Sequence, residues 1–544
     1  MASLVDLFGY LGILLHGLVI ASQSMALGGA FFLALLARPN AALLGADTVR
    51  AVRRLAGFAA IALVLIEAIS ITLQTLVLIS TLDLPLSNIL AANFAVSGLI
   101  KTAAALALAL ALFADARAAL LLGLGAIILV AATLTTHAAA RLDHNAILLA
   151  AAFLHQLGAA IWVGAIPSFV LVLPRVSPPA LRKIGGGFSR ISIAGVAAIL
   201  LSGLTMSFFY IGSWAAAYGT AYGVMVGAKI AMFLMLLGLG LGNFLVTERL
   251  RQNPATPILR LRRFAEVEIG IGLTIFFCAA SLTSVPPGID LPHDRVTWQE
   301  IVARDFTPRM PRLTSPDHDA LAIPALQAKL DAEAAATAAA PQPAFIEGAG
   351  DLPPRNPADI AWSEYNHHWA GFFVTAIGLL ALLHRAGIRW ARHWPLVFFG
   401  LAAFLFIRSD PEVWPLGQIG LLESLRDVEV VQHRAFVLLV VIFASFEWAV
   451  RAGWLKSRAA ANVFPLICAF GGALLLTHSH AIANIKDQLL IELTHTPLAL
   501  AAVTAGWARW LELRLPGRIA RTTGWVWPVC FVAIGALLVL YREA

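Results

Sequence analysis

SGLIKTAAALALALALFADARAALLLGLGAIILVAATLTTH, residues 97–137, decides the fold class. Two apolar runs are divided only by Ala114-Asp115-Ala116-Arg117, a short charged break. Each run approaches the roughly 20 apolar residues that cross a hydrocarbon core as a helix. Backbone groups in lipid must be satisfied inside their own segment, so consecutive runs of this kind read as helices joined by a tight turn. Lys101 is the exception within the first run, and an intramembrane charge needs a partner.

The same pattern continues in both directions. Apolar runs begin near residues 8, 53, 90, 118, 145, 189, 222, 264, 368, 394, 430, 461, 488 and 524. The chain is 60% hydrophobic and 13% charged, against about 25% charged in soluble domains, and its mean hydropathy is +0.82. The expectation is an all-α polytopic membrane protein with about 14 transmembrane helices, in an eight-helix unit over 1–285 and a six-helix unit over 367–544. The first run, from about Leu7, lacks a basic leader and a small-residue cleavage site, and reads as a retained helix. Between the units, the 286–366 segment is rich in Pro, Ala and Asp, with a short surface helix expected over 321–339.

Basic residues alternate along the chain. Arg50, Arg53 and Arg54 follow the first run, Arg117 the third, Arg175, Arg182 and Lys183 the fifth, and Arg385, Arg389 and Arg392 the ninth. Arg451 and Lys456 follow the eleventh and Arg514 and Arg518 the thirteenth, while the intervening loops are nearly free of Lys and Arg. Basic loops stay cytoplasmic, which places both termini and the 286–366 segment in the periplasm. The formal charge of +7 has its source in these loops, so it is no sign of nucleic-acid binding. Cys278, Cys468 and Cys530 stand alone in apolar runs, which argues against a disulfide framework and a thiolate metal cage.

Histidines supply the functional signal. His368 and His433 open two C-terminal runs with His367 beside the first, His478 and His480 close a third, and His495 lies just inside a fourth. By the topology all lie toward the outer face, as a layer suited to a metal or haem. His384 and His393, on the inner side, are expected in solvent. Since His478 and His480 are about 200° apart on a helix, both face one site only where the helix is irregular. In the first unit, His137 and His144 flank a tight turn near the surface. His155 is about 16 Å deeper than His144, near the level of His16. Glu67 and Lys101 sit at middle depth on neighbouring runs and can pair, and Lys229 is a further intramembrane charge. Met206, Met225, Met232 and Met235 offer thioethers, which suit Cu(I) but also serve as core filler. Any single histidine here serves interhelical packing as readily as ligation. Phosphate-loop, HExxH and Ser-His-Asp patterns are missing, which disfavours an ATP-driven pump and a hydrolase.

Several motifs resemble the copper resistance D (CopD) family of bacterial inner-membrane proteins. They are His155-Gln156-Leu157-Gly158-Ala159-Ala160-Ile161-Trp162-Val163-Gly164, Phe188-Ser189-Arg190, Ser202-Gly203, Tyr222-Gly223 with Lys229 and Asn243, and the close from Leu282 to Pro287. The likeness covers about 145–287. Asn366-His367-His368-Trp369-Ala370-Gly371, Val431-Gln432-His433-Arg434 and Thr477-His478-Ser479-His480 resemble the extension of longer members. The resemblance implies a multi-pass inner-membrane protein of copper handling, usually copper uptake, with periplasmic partners of the CopC kind. It leaves open copper import through a periplasm-facing histidine site, a b-type haem with redox activity at that site, and copper delivery to a periplasmic oxidase.

Overall fold

A computed structural model describes residues 2–82, 84–307, 309–321, 357–417, 419–425, 428–477 and 485–543. Helices stand at all the expected positions. They are α1 (Ala2–Phe32), α2 (Ala46–Leu82), α3 (Asn93–Phe113), α4 (Ala118–Thr133), α5 (Asn145–Ile161), α6 (Pro178–Tyr210), α7 (Ala221–Gln252) and α8 (Leu259–Leu282). The C-terminal part holds α9 (Pro357–Arg385), α10 (Val397–Arg408), α11 (Val428–Ala452), α12 (Val463–Leu475), α13 (Ile485–Arg514) and α14 (Gly517–Val539). Among the described residues, twelve helical segments are long and apolar enough to cross a membrane. The remaining two positions hold the shorter α4 and the more polar α13, which carries Glu492, His495, Arg509 and Glu512. The protein is an all-α polytopic membrane protein.

Two compact units emerge, one built mainly from Met1–Ala217 and Met225–Leu291, the other mainly from Pro292–Leu475 and His480–Ala544. In the first, α1 packs most extensively on α2, α2 on α3, and α5 on α6. The motif around Gly164 has a packing role. After Ile161 the α-helix gives way to a 3-10 turn over Val163–Ala165. A Cβ on Gly164 would lie 1.9 Å from the Ser24 carbonyl oxygen of α1, and one on Gly28 would lie 2.2 Å from the Gly164 carbonyl carbon. Only glycines allow this backbone-to-backbone approach, a device membrane helices use where lipid removes the hydrophobic drive. The outer faces remain apolar, with Leu204 70% and Phe208 73% exposed on α6, as lipid requires.

In the second unit, α9 packs most extensively on α14, and α13 lies against α12 and α14. Trp394, Phe398, Phe464, Trp527 and Phe531 form its buried aromatic core. Helices begin earlier than their apolar runs. Pro357 opens α9 eleven residues before the run near 368, because a polar first stretch carrying Trp362 and Tyr365 continues the helix into the interface. His367 and His368 therefore sit about three turns inside α9, not at its start.

Candidate metal centre

The six-helix unit gathers several of its histidines at one end. His367 of α9 and His495 of α13 face each other with ring centroids 6.3 Å apart and planes at 87°. Tyr541, just beyond α14, stacks on His367 at 3.8 Å and stands edge-on to His495 at 6.2 Å. The His367 Nδ1–H donates to the Ser363 carbonyl at 2.9 Å, one helical turn back. Ser363 Oγ donates to Glu543, and the Tyr541 hydroxyl donates to Glu543 at 2.9 Å. His433 lies on α11. Its Nδ1–H donates to Asp410 Oδ1 at 2.6 Å, and Asp410 is itself buried. An imidazole held at Nδ1 by a carboxylate or carbonyl presents Nε2 as a lone pair, the usual arrangement behind a metal-binding histidine.

His368 differs from its neighbour. It is fully buried; the Arg312 backbone N–H donates to its Nδ1 at 2.7 Å, and its Nε2–H donates to the Tyr541 carbonyl at 3.0 Å. Both ring nitrogens are occupied, so in this arrangement His368 pins the 304–312 stretch and the C-terminal tail to α9. Successive residues on a helix point about 100° apart, which separates the two histidines' surroundings. Arg542 donates to the Arg309 carbonyl at 3.1 Å, and Arg304 donates to the carbonyls of Leu490 and Arg542. His478 and His480 lie outside the described residues, as does most of the stretch expected as a surface helix.

Opposite the histidines, the same unit holds a buried charge network that the sequence reading missed. Arg451 donates to Glu447 at 2.7 Å, Arg509 bonds Glu447 at 3.2 Å and Glu512 at 2.7 Å, and Arg385 also binds Glu512. The Trp527 indole N–H donates to Glu512 at 2.7 Å, and Arg451 lies over the Trp394 ring at 4.9 Å. Arg385 and Arg451 read as loop residues because each ends an apolar run. Each stands in the last turn of its helix, partly buried against the neighbouring helices. Nor does His393 stand alone in solvent, since it accepts from the Trp448 indole N–H at 3.2 Å. Glu447 and Arg451, four apart in α11, were the available signal.

In the first unit the candidates are dispersed. His155 donates through Nδ1 to Ser202 Oγ at 3.1 Å, while Ser202 donates to the Ala198 carbonyl at 2.6 Å. Lys229 is the charged neighbour of His155, whereas Lys101 and His137 are those of His16. Different residues thus neighbour His16 and His155, although the two are expected at similar depth. His137 stands edge-on to Tyr210 at 6.5 Å, and His144 packs on Phe209 at 4.8 Å. Burial pushes His137 below its ordinary pKa, Arg141 adding to the effect, with the Thr283 carbonyl and Asp290 opposing it. The Lys101 ammonium lies 2.9 Å from Glu67 in a buried ion pair. Met225 and Met232 are buried core residues, with Met206 and Met235 half-buried. Cys278, Cys468 and Cys530 are not joined in disulfides. Glu268 was also missed: it is 4% exposed and accepts from Asn243 at 3.3 Å. Among the described residues, no three His, Cys, Asp or Glu side chains converge as a metal-binding group.

Comparison with known proteins centres on the first unit. A stretch of 167 residues, 29% of this chain, is 32% identical to the copper transport protein CutJ of Bacillus subtilis (strain 168). The match spans 29% of that relative's length. No solved structure matches significantly. Residues 182–282 match the family model of copper resistance protein D, beginning after the His155–Gly164 motif. Residues 182–282 of this membrane protein, spanning most of α6 with α7 and α8, are thus similar to copper resistance protein D.

Proposed function

We propose that the chain imports copper across the bacterial inner membrane, taking it up at the periplasmic face. The observation that carries this reading is the meeting of His367 and His495 at one end of the six-helix unit, in a chain whose residues 182–282 are similar to copper resistance protein D. His433, held by Asp410 and about one-third exposed, is the entry ligand. The arginine-rich end of the same helices is cytoplasmic by the charge rule, which puts the histidine end, both termini and the 286–366 segment outside. His16, His155 and the methionines Met206, Met225, Met232 and Met235 are stations in the first unit, with Lys101, Glu67 and Lys229 setting its internal charge. A periplasmic copper-binding protein of the CopC kind is the donor.

The test is copper accumulation by cells lacking the gene. Complementation with the wild-type chain should raise cell-associated copper several-fold over His433→Ala and His495→Ala at equal membrane levels. Equal copper in all strains would rule out import. An optical spectrum of the purified protein addresses the b-type haem reading, because a Soret band lost on replacing His367 or His495 would move the site to redox chemistry.

A further inference from the structure

The geometry points to His367 and His495 as a two-coordinate site for a monovalent, closed-shell metal ion, Cu(I) or its surrogate Ag(I), with Tyr541 as its wall. It deepens the copper reading above and rests on it.

Three observations carry the assignment. The first is spacing. Metal–imidazole bonds of about 2 Å on either side, added to the two ring radii, give a centroid separation of about 6 Å for a straight nitrogen–metal–nitrogen arrangement. The observed separation is 6.3 Å. The second is the tautomer. His367 makes its hydrogen bonds through Nδ1, to the carbonyl and hydroxyl of Ser363, which leaves the Nε2 lone pair for an ion. His368 offers no such nitrogen, since Arg312 and Tyr541 occupy both. The ligand of the His367-His368 pair is therefore the first.

The third is ligand number. Zinc asks for four ligands and Cu(II) for a tetragonal set. The described residues bring two imidazoles together here and no group of three or more candidate ligands. A closed-shell monovalent ion accepts two ligands in a line. The Tyr541 ring, 2% exposed and stacked on His367, shields the position from water. Shielding suits an ion of low charge, because it gives up less hydration than a divalent one.

Full-length protein in nanodiscs should be titrated with Ag(I), and with Cu(I) against a chromophoric Cu(I) chelator. Wild type should bind one ion that both His367→Ala and His495→Ala weaken by about 100-fold or more, the upper range for loss of metal-site groups. His495→Met should keep most of the affinity, since a thioether suits Cu(I). His368→Gln should keep the affinity too, while lowering thermal stability. X-ray absorption of the Cu(I) form should report two nitrogen neighbours. A shell of three or four nitrogens, wild-type affinity in both alanine variants, or loss of binding in a folded His368→Gln protein would overturn the assignment. Failure of import has its own signature: wild type that binds the ion yet leaves cellular copper unchanged refutes uptake and leaves this site standing.

Discussion

At the residue scale, His368 shows how one helical position separates structure from chemistry. Its two hydrogen bonds satisfy a part-buried N–H and a buried carbonyl, and leaving the buried carbonyl unpaired costs about 1–3 kcal/mol. His368→Ala should lower the melting temperature and open the 304–312 stretch to protease. His368→Gln should recover part of the loss. The sequence predicts a layer of histidines, because depth along an apolar run can be counted. It could not choose between residues 367 and 368. That choice depends on Ser363, Arg312 and Tyr541, up to 173 residues away in the chain. His137 provides a pH test. Burial holds its pKa below the ordinary value, so the closed form binds fewer protons than the open one. Its stabilisation is complete above about pH 6.5, the unperturbed value, and is lost as pH falls toward the depressed one. Protection over 137–145, with the pH dependence of intrinsic exchange divided out, should fall as pH is lowered from 7.5 to 5, and His137→Gln should flatten that dependence.

At the scale of elements, close approach decides the helix pairs. A Cβ on Gly378 of α9 would lie 2.7 Å from the Val532 nitrogen and 3.0 Å from the Pro528 carbonyl oxygen of α14. Neither backbone atom can yield as a side chain would. Gly378→Ala should destabilise the protein by about 1–3 kcal/mol, as overpacking does. Gly471 of α12 has nothing within 4 Å of a built Cβ, so Gly471→Ala should stabilise by up to about 1 kcal/mol through helix propensity. Thermal unfolding in detergent would compare the two. The positions of the helices were legible because lipid permits little else. The helix starts were not, since polar turns such as Pro357–Glu364 extend a helix without changing its apolar run.

For the whole molecule, the six-helix unit has unlike ends. Residues 367 and 385 of α9 are about 27 Å apart along the axis, with imidazoles near one and the Arg385–Glu512–Arg509–Glu447–Arg451 network near the other. Removing one member of such a network leaves a buried charge uncompensated, at about 3–5 kcal/mol. Arg509→Met should therefore sharply reduce the amount of folded protein in the membrane, measured by the monodisperse fraction after extraction. Proposed orientation has its own check. A protease site inserted at Pro341 should be cut from the periplasmic side of intact cells, and cutting only from the cytoplasmic side of inverted vesicles would reverse the molecule.

The tail after α14 has a practical consequence. Tyr541 covers His367 with its ring and holds His368 with its carbonyl, while Arg542 and Glu543 fasten it to the 304–312 stretch and to Ser363. Anything fused directly behind residue 544 would pull on that tail at the point where the metal is expected to sit. A carboxy-terminal affinity tag would then yield protein that is abundant, membrane-inserted and deficient in metal, while the same tag at the amino terminus would purify it loaded.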